Sequence, residues 1–353
     1  KDTANTDVVV HRGEALALWY VAGTPYRVDL DTLETLGAAR FGSDRRFSVS
    51  AHAKVDPVTD ELMFFDYGRQ APYMHYGVVG ADGLLKQLEP ITLPGPRLPH
   101  DMAFTERYSV LMDLPVVPDA EAAKKGRWVI RYAQTQPARF AILPRHGGDA
   151  DVRWFEAAPC YIYHVVNAWE EGDTVVMVGC RTTDPIPASD PRDGDPLTAR
   201  MMANLRLKAQ LHEWRFDLAT GQTTERALDD RFAEFPTIDG RRAGRRTRLG
   251  YAMLTADVST LAFEGIVAYD LDDGAAKTTQ FGPGWYGNEV GFAPRVGGSG
   301  EEGDGYLVTF VSHPDAGSRC LVYDAQDVTA GPRVTLSLPT RVPTGFHACW
   351  APL

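Results

Sequence analysis

The residues of this chain best suited to chemistry are nine histidines, His11, His52, His75, His100, His146, His164, His212, His313 and His347. No two of them form His-Glu-x-x-His or another short ligand pair, so spacing alone identifies no metal site. Taken singly, each is as readily a packed or solvated ring as a ligand. Context separates four of them: His52 in Val49-Ser50-Ala51-His52-Ala53-Lys54-Val55-Asp56-Pro57, His100 in Pro99-His100-Asp101-Met102-Ala103-Phe104, His164 in Tyr161-Ile162-Tyr163-His164-Val165-Val166-Asn167, and His347 in Gly345-Phe346-His347-Ala348-Cys349-Trp350. Each sits at the start or end of an apolar strand, 48, 64 and 183 residues from the next. Such rings can meet only in a fold that brings remote strand ends to one axis. His146 and His313 lie in turn sequences, Arg145-His146-Gly147-Gly148 and Ser312-His313-Pro314, and are expected to be solvated.

The elements that must position these rings show a period. Tyr26-Arg27-Val28-Asp29, Trp214-Arg215-Phe216-Asp217, Val267-Ala268-Tyr269-Asp270 and Leu321-Val322-Tyr323-Asp324 are alternating strands that end on an aspartate. In each, the carboxylate can bond the amides of the turn that follows, and a second strand then begins, as in Thr223-Thr224-Glu225 or Lys277-Thr278-Thr279. This is hairpin chemistry. Asp217 and Asp270 are 53 residues apart, Asp270 and Asp324 are 54, and Asp29 and Asp82 are again 53. A repeat near 50 residues with about four strands each is the pattern of a β-propeller blade. Chance spacing among common turn residues is the alternative, and the repeat is blurred between Asp82 and Asp217. About six such units fit in the chain. The clearest helical stretch is 198–214, after the Pro/Asp-rich insertion that begins at Asp184. It reads as a cap over one face of the propeller, with Met201 and Met202 as candidates to border an apolar entrance.

Composition sets bounds on function. The 353 residues are 44% hydrophobic and 24% charged, enough for a sizeable core, with 33 glycines and 24 prolines scattered among short strands. A net charge of −11 gives no electrostatic case for binding nucleic acid or an anionic membrane. The four cysteines, Cys160, Cys180, Cys320 and Cys349, have no Cys-x-x-Cys spacing and read as free thiols in a reducing compartment. No apolar run approaches the ~18 residues that span a bilayer. The first residue is Lys1, close to what reads as a strand, and residues are expected upstream of it.

The segments around the four histidines resemble the carotenoid cleavage oxygenase family, which also includes stilbene- and isoeugenol-cleaving enzymes. The resemblance runs nearly end to end through Ala4-Asn5-Thr6, Pro25-Tyr26, Ala51-His52-x-Lys54-x-Asp56-Pro57, His100-Asp101-x-Ala103-x-Thr105-Glu106, Leu143-Pro144-Arg145, Arg153-Trp154-Phe155, His164-Val165-Val166-Asn167-Ala168-Trp169-Glu170 and Glu302-Gly303-Asp304-Gly305-Tyr306. It implies an all-β, seven-bladed β-propeller whose N-terminal part is missing from this sequence. The expected organisation is a single domain over 1–353, with a small helical or loop cap around 182–212 over an axial metal. The family iron is held by four histidines, here His52, His100, His164 and His347. Glutamates accept hydrogen bonds from the ligand imidazoles, and Glu234 and Glu289 match two of them. The third position falls on Val21, and valine cannot accept that bond.

What the resemblance implies about chemistry is oxidative cleavage of a C=C bond to two carbonyl products, with Fe(II) as cofactor and O2 as co-substrate. Four neutral imidazoles suit Fe(II) but leave its charge uncompensated, which is why carboxylates behind them matter. The stilbene and isoeugenol branch usually carries Lys just before the third glutamate, where this chain has Tyr20. That favours a carotenoid or apocarotenoid, with a stilbenoid or phenylpropene as the alternative. A hydrolytic or non-catalytic β-propeller is the alternative of another class. The expected location is cytoplasmic, with peripheral, weak membrane-surface contact through the cap left open, and no oligomeric state is implied. If Val21 weakens the site, Val21→Glu should tighten Fe(II) binding by about 10–100-fold in anaerobic chelator competition, and unchanged affinity would mean that another group already fills the role.

Overall fold

The computed structural model describes residues 4–20, 22–127, 129–190, 193–343 and 345–351. The chain forms two compact units, one of Lys1–Met177, Trp214–Glu225 and Ala243–Arg245, the other of Val178–Glu213, Arg226–Arg242 and Arg246–Leu353. The expected all-β class is observed, as successive four-stranded antiparallel meanders. In the first unit, Asp7–His11, Glu14–Leu18, Tyr26–Asp29 and Thr35–Ala38 form one sheet. Lys54–Val55, Leu62–Tyr67, Tyr73–Val79 and Leu85–Thr92 form a second. Ala103–Phe104, Tyr108–Asp113, Ala138–Pro144 and Arg153–Ala157 form a third. A further sheet is built from Tyr161–Glu171, Thr174–Thr182, Gln210–Asp217 and Thr223–Ala227. The second unit holds two more meanders, Ala233–Thr237 to Ala276–Gln280 and Gly291–Pro294 to Val334–Ser337, joined through the short strand Tyr286–Gly287.

Each meander grades from buried to exposed, and the sequence shows why. Leu62-Met63-Phe64-Phe65 is buried on both faces and reads as a continuous apolar run, whereas Leu85–Thr92 mixes polar and apolar residues and only Ile91 is buried. The outermost strands Thr35–Ala38 and Val334–Ser337 are almost wholly exposed. The aspartate turns form as expected. Oδ1 of Asp29, Asp82, Asp217, Asp270 and Asp324 accepts the amide N–H two residues on, at 3.1, 3.1, 2.7, 3.1 and 3.1 Å. Asp56 does the same to Val58 at 2.9 Å, a repeat of the device that the spacing did not reveal.

The helix expected over 198–214 is shorter. It spans Pro196–Asn204, and Gln210–Asp217 is a strand. Asp195 starts the helix by accepting the N–H groups of Leu197 and Thr198 at 3.0 and 3.3 Å, with Pro196 in the first turn. The apolar spacing of Leu211 and Trp214 resembles a helical face, but sheet pairing of the Trp214-Arg215-Phe216-Asp217 hairpin extends back through them. Met201 and Met202 fall in the helix, and their side chains lie outside the described residues, as does Val21 altogether.

One close approach tests the packing. Phe64 and Gly77 face each other across paired strands, and a Cβ on Gly77 would lie 2.2 Å from the Phe64 ring. Phe64 is fully buried, so its ring has little room to retreat. Gly77→Ala should therefore lower stability by about 1–3 kcal/mol in a urea titration. A variant as stable as wild type would mean that the ring relocates freely.

Candidate metal centre

The arm that carries His52 is held by the amides from Val49 to His52. Val49 N–H and Gly23 N–H exchange bonds with the opposite carbonyls at 2.9 and 3.1 Å, and Ser50 N–H donates to Phe65 O at 2.8 Å. Ala51 N–H donates to Trp19 O at 3.1 Å. His52 N–H then donates to the Asp7 carboxylate at 2.9 Å. This last bond holds His52 at φ +63°, a left-handed conformation that costs a residue with a Cβ on the order of 1 kcal/mol. The chain thereby turns sharply at His52.

His100 precedes Asp101 in an extended loop, and His164 sits early in the strand Tyr161–Glu171. The three rings of the first unit converge. His52 is 4.9 Å from His100 and 4.9 Å from His164 between ring centroids, and His100 is 5.1 Å from His164. Their candidate donor nitrogens lie within 4.8 Å of one another. Tyr20 and Tyr163 flank His100 at 5.7 and 5.2 Å, which gives the cluster an aromatic surround.

A single buried carboxylate ties the three histidine-bearing segments. Asp101 is 2% exposed. It receives Lys54 Nζ at 2.7 Å, and its Oδ2 accepts Val165 N–H at 2.7 Å. Lys54 is two residues past His52, Asp101 is next to His100, and Val165 is next to His164. Lys54 and Asp101 belong to the segments singled out in the sequence, but their mutual contact was not legible there. The available signal was a buried-looking Asp beside one candidate ligand and a Lys beside another.

The second unit holds the other predicted residues. His347 Nδ1 lies 3.2 Å from Glu289 Oε1, and Ala348 N–H donates to Glu289 Oε2 at 2.5 Å. Asn288 adds a grip on the same segment by accepting Gly345 N–H at 3.1 Å. Phe235 packs its ring 4.7 Å from that of His347. Glu234 is fully buried, and its Oε2 accepts the N–H of Phe235, which sits at φ +52°. His146 is solvated as expected, with its ring beside Glu61 at 3.0 Å. His313 ends a strand, where Nδ1 accepts the turn N–H groups of Asp315 and Ala316. None of the four cysteines is in a disulfide.

Other motif residues are structural ties. Arg145, 5% exposed, donates to Asp56 Oδ2 and Glu61 Oε2, each at 2.6 Å, and Arg245 reaches Asp56 Oδ1 at 3.0 Å. Asn167 bonds the backbone of Gly244 and Arg245 at 3.0 and 2.8 Å. Glu170 accepts from Thr105 Oγ1 at 2.7 Å and from Arg107. Glu302 accepts the N–H groups of Arg248 and Leu249, both at 2.8 Å.

Repeated antiparallel meanders that carry a cluster of imidazoles define a β-repeat protein with a candidate metal centre. Residues 1–352 match the family model described as RPE65, retinal pigment epithelial membrane protein. An isoeugenol monooxygenase of Pseudomonas nitroreducens is 31% identical over 370 residues, which cover 100% of this chain and 76% of that protein. The chain belongs to the RPE65/carotenoid cleavage oxygenase family. A carotenoid 9,10(9',10')-cleavage dioxygenase of Crocus sativus is 37% identical over 367 residues, 98% of this chain and 65% of that protein. The chain spans 65–66% of the length of the plant dioxygenases it matches. The crystal structure of a lignostilbene dioxygenase of Pseudomonas brassicacearum superposes with a TM-score of 0.86 at 30% identity, covering 99% of this chain and 75% of that one.

The ion cluster around Asp56 predicts an acid response. Burial pushes this carboxyl up, but the Val58 amide and the Arg145 and Arg245 guanidiniums outweigh it and hold its pKa at about 2, below the ordinary 3.8. A depressed carboxyl stabilises the fold above its unfolded pKa, and that stability is lost as pH falls through about 2. The stability gap between wild type and Asp56→Asn should therefore narrow by about 2 kcal/mol between pH 5 and pH 2 in urea titrations. A gap that does not change with pH would mean that Asp56 carries no native charge interaction.

Proposed function

We propose that this chain holds Fe(II) on His52, His100, His164 and His347 and uses O2 to cleave a C=C bond of a carotenoid or apocarotenoid into two carbonyl products. The observation that carries the reading is the convergence of three imidazoles in the first unit, on segments that a shared carboxylate ties together. The donor set fits the ion: imidazole nitrogens within 4.8 Å of one another suit a first-row divalent metal, and nearby Asp and Glu carboxylates offset its charge. His347 is the fourth ligand in this reading, turned and made more basic by Glu289, and Glu234 is the second carboxylate of the set. Bound Fe(II) would supply the activation of O2.

The chain's own groups then bind and orient. Tyr20 and Tyr163 present aromatic surface beside His100, suited to an extended apolar alkene that need not touch the metal. A lysine at position 20 would offer a charge to a phenol, and tyrosine does not. That residue favours a polyene, in keeping with the name of the Crocus relative. The names of the isoeugenol and lignostilbene relatives favour the second reading, a phenylpropene or stilbenoid double bond. Also part of the proposal are a seven-bladed propeller as one domain, a cap formed by 182–212, and a cytoplasmic location. Contact with a membrane would be at most weak and made through the cap. No helix among the described residues is long and apolar enough to cross a membrane.

The test is anaerobic Fe(II) reconstitution, then exposure to O2 with apocarotenals, resveratrol and isoeugenol, and product identification by mass. Two carbonyl fragments from an apocarotenal are expected, and fragments from isoeugenol or resveratrol alone would select the second reading. His164→Ala should lose both iron and turnover. Full iron content and turnover in that variant would remove the site assignment, and an iron-loaded wild type inert to the whole panel would point to a binding scaffold.

A further inference from the structure

The segment Ala4-Asn5-Thr6 ends beside an acid, Asp7, that the sequence reading did not single out. Asp7 begins the first strand of the first sheet, and its side chain is 11% exposed. Its two oxygens divide their roles. Oδ1 accepts the N–H of Val8 at 2.8 Å, and Oδ2 accepts the N–H of His52 at 2.9 Å. The same Oδ2 lies 3.7 Å from His52 Nδ1, too long for a hydrogen bond but close for a charge in a buried setting. His52 itself is 7% exposed, so water screens the pair poorly.

We propose that Asp7 is a positioning residue for His52, a carboxylate that keeps the proton on Nδ1, leaves Nε2 as the metal donor, and offsets part of the charge of the metal. This rests on the iron-site reading above. Two contacts of the same oxygen bear on it. The backbone bond fixes the left-handed turn that aims the ring, and the 3.7 Å contact places a negative charge on the side of the ring away from a metal at Nε2. A histidine that ligates through one nitrogen gains basicity and a fixed tautomer when the other faces a carboxylate. The carboxylate count of this chain then becomes Asp7, Glu234 and Glu289, so that an acid outside the expected positions accompanies the loss of one at Val21.

The two roles of Asp7 separate experimentally. Asp7→Asn keeps one oxygen that can accept the His52 N–H, at the cost of the bond from Val8 N–H, and removes the charge, whereas Asp7→Ala removes the charge and both acceptors. Co(II) affinity of the full chain is measured by anaerobic chelator competition, with its ligand-field absorption spectrum, beside thermal melting of the metal-free protein. Asp7→Asn is expected to melt above Asp7→Ala, to bind Co(II) about 10–100-fold more weakly, and to shift the Co(II) bands. Asp7→Ala should additionally melt lower. Wild-type affinity and spectrum in Asp7→Asn overturn the proposal. A metal-free Asp7→Asn protein that melts as low as Asp7→Ala overturns it too, because the charge would then serve the fold. His164→Ala is the control for the underlying reading. If it retains wild-type Co(II) binding, the iron site is wrong, and if it loses Co(II) while Asp7→Asn does not, only the role of Asp7 is wrong.

Discussion

The carboxylate of Asp101 is the point on which the geometry of the first unit turns. Three stretches of chain, far apart in sequence, each carry a histidine, and each also sends one donor or acceptor to this group: Lys54 its ammonium, Val165 its amide, and Asp101 the acid itself. A buried carboxylate without partners is strongly unfavourable, and losing one member of a buried pair typically costs several kcal/mol. The pair is therefore a constraint more than a source of net stability. It makes any arrangement in which these segments drift apart expensive, and convergence of the rings follows. Charge-assisted bonds suit this role because they are short and directional.

The same principle recurs away from the rings. Thr105 and Arg107 close on Glu170, Arg145 and Arg245 close on Asp56, Asn167 holds the backbone at Gly244 and Arg245, and in the second unit Glu302 holds Thr247, Arg248 and Leu249. Four-stranded antiparallel meanders bury their inner strands well but end in loops whose amides have no ladder partner. Side-chain carboxylates and amides meet that need at low cost in sequence length. Much of the polar signature around the histidines is thus a fastening system, and only a minority of it faces the candidate centre.

This explains what the sequence made legible. Strand alternation and the aspartate turns were readable because both are local: the side chain of Asp217 or Asp270 meets amides two residues away, and a period of 53 or 54 residues needs only counting. The helix after Asp195 was read too long because helical spacing of Leu211 and Trp214 is a local pattern too, and a non-local sheet pairing overrode it. Asp7 beside His52, and Lys54 beside Asp101, join residues 45 and 47 positions apart and have no local signature. The histidine set itself emerged only through resemblance, since no spacing among its members repeats.

The devices that fix the rings also differ in kind. His52 is aimed by its own backbone, a left-handed turn held by an aspartate, while His164 is fixed by strand pleat and by the bond from its neighbour Val165. In the second unit, His347 lies in irregular chain and is oriented by Glu289, which takes both the ring and the following amide. A ring on a regular strand needs little further support, because the pleat sets its direction. A ring on a turn or loop needs a dedicated acid, because without one the backbone and χ angles would sample several orientations. At His52 and His347 a carboxylate accordingly sits where secondary structure gives little help. Asp7 belongs to that pattern as much as Glu289 does, although one grips a turn and the other a loop.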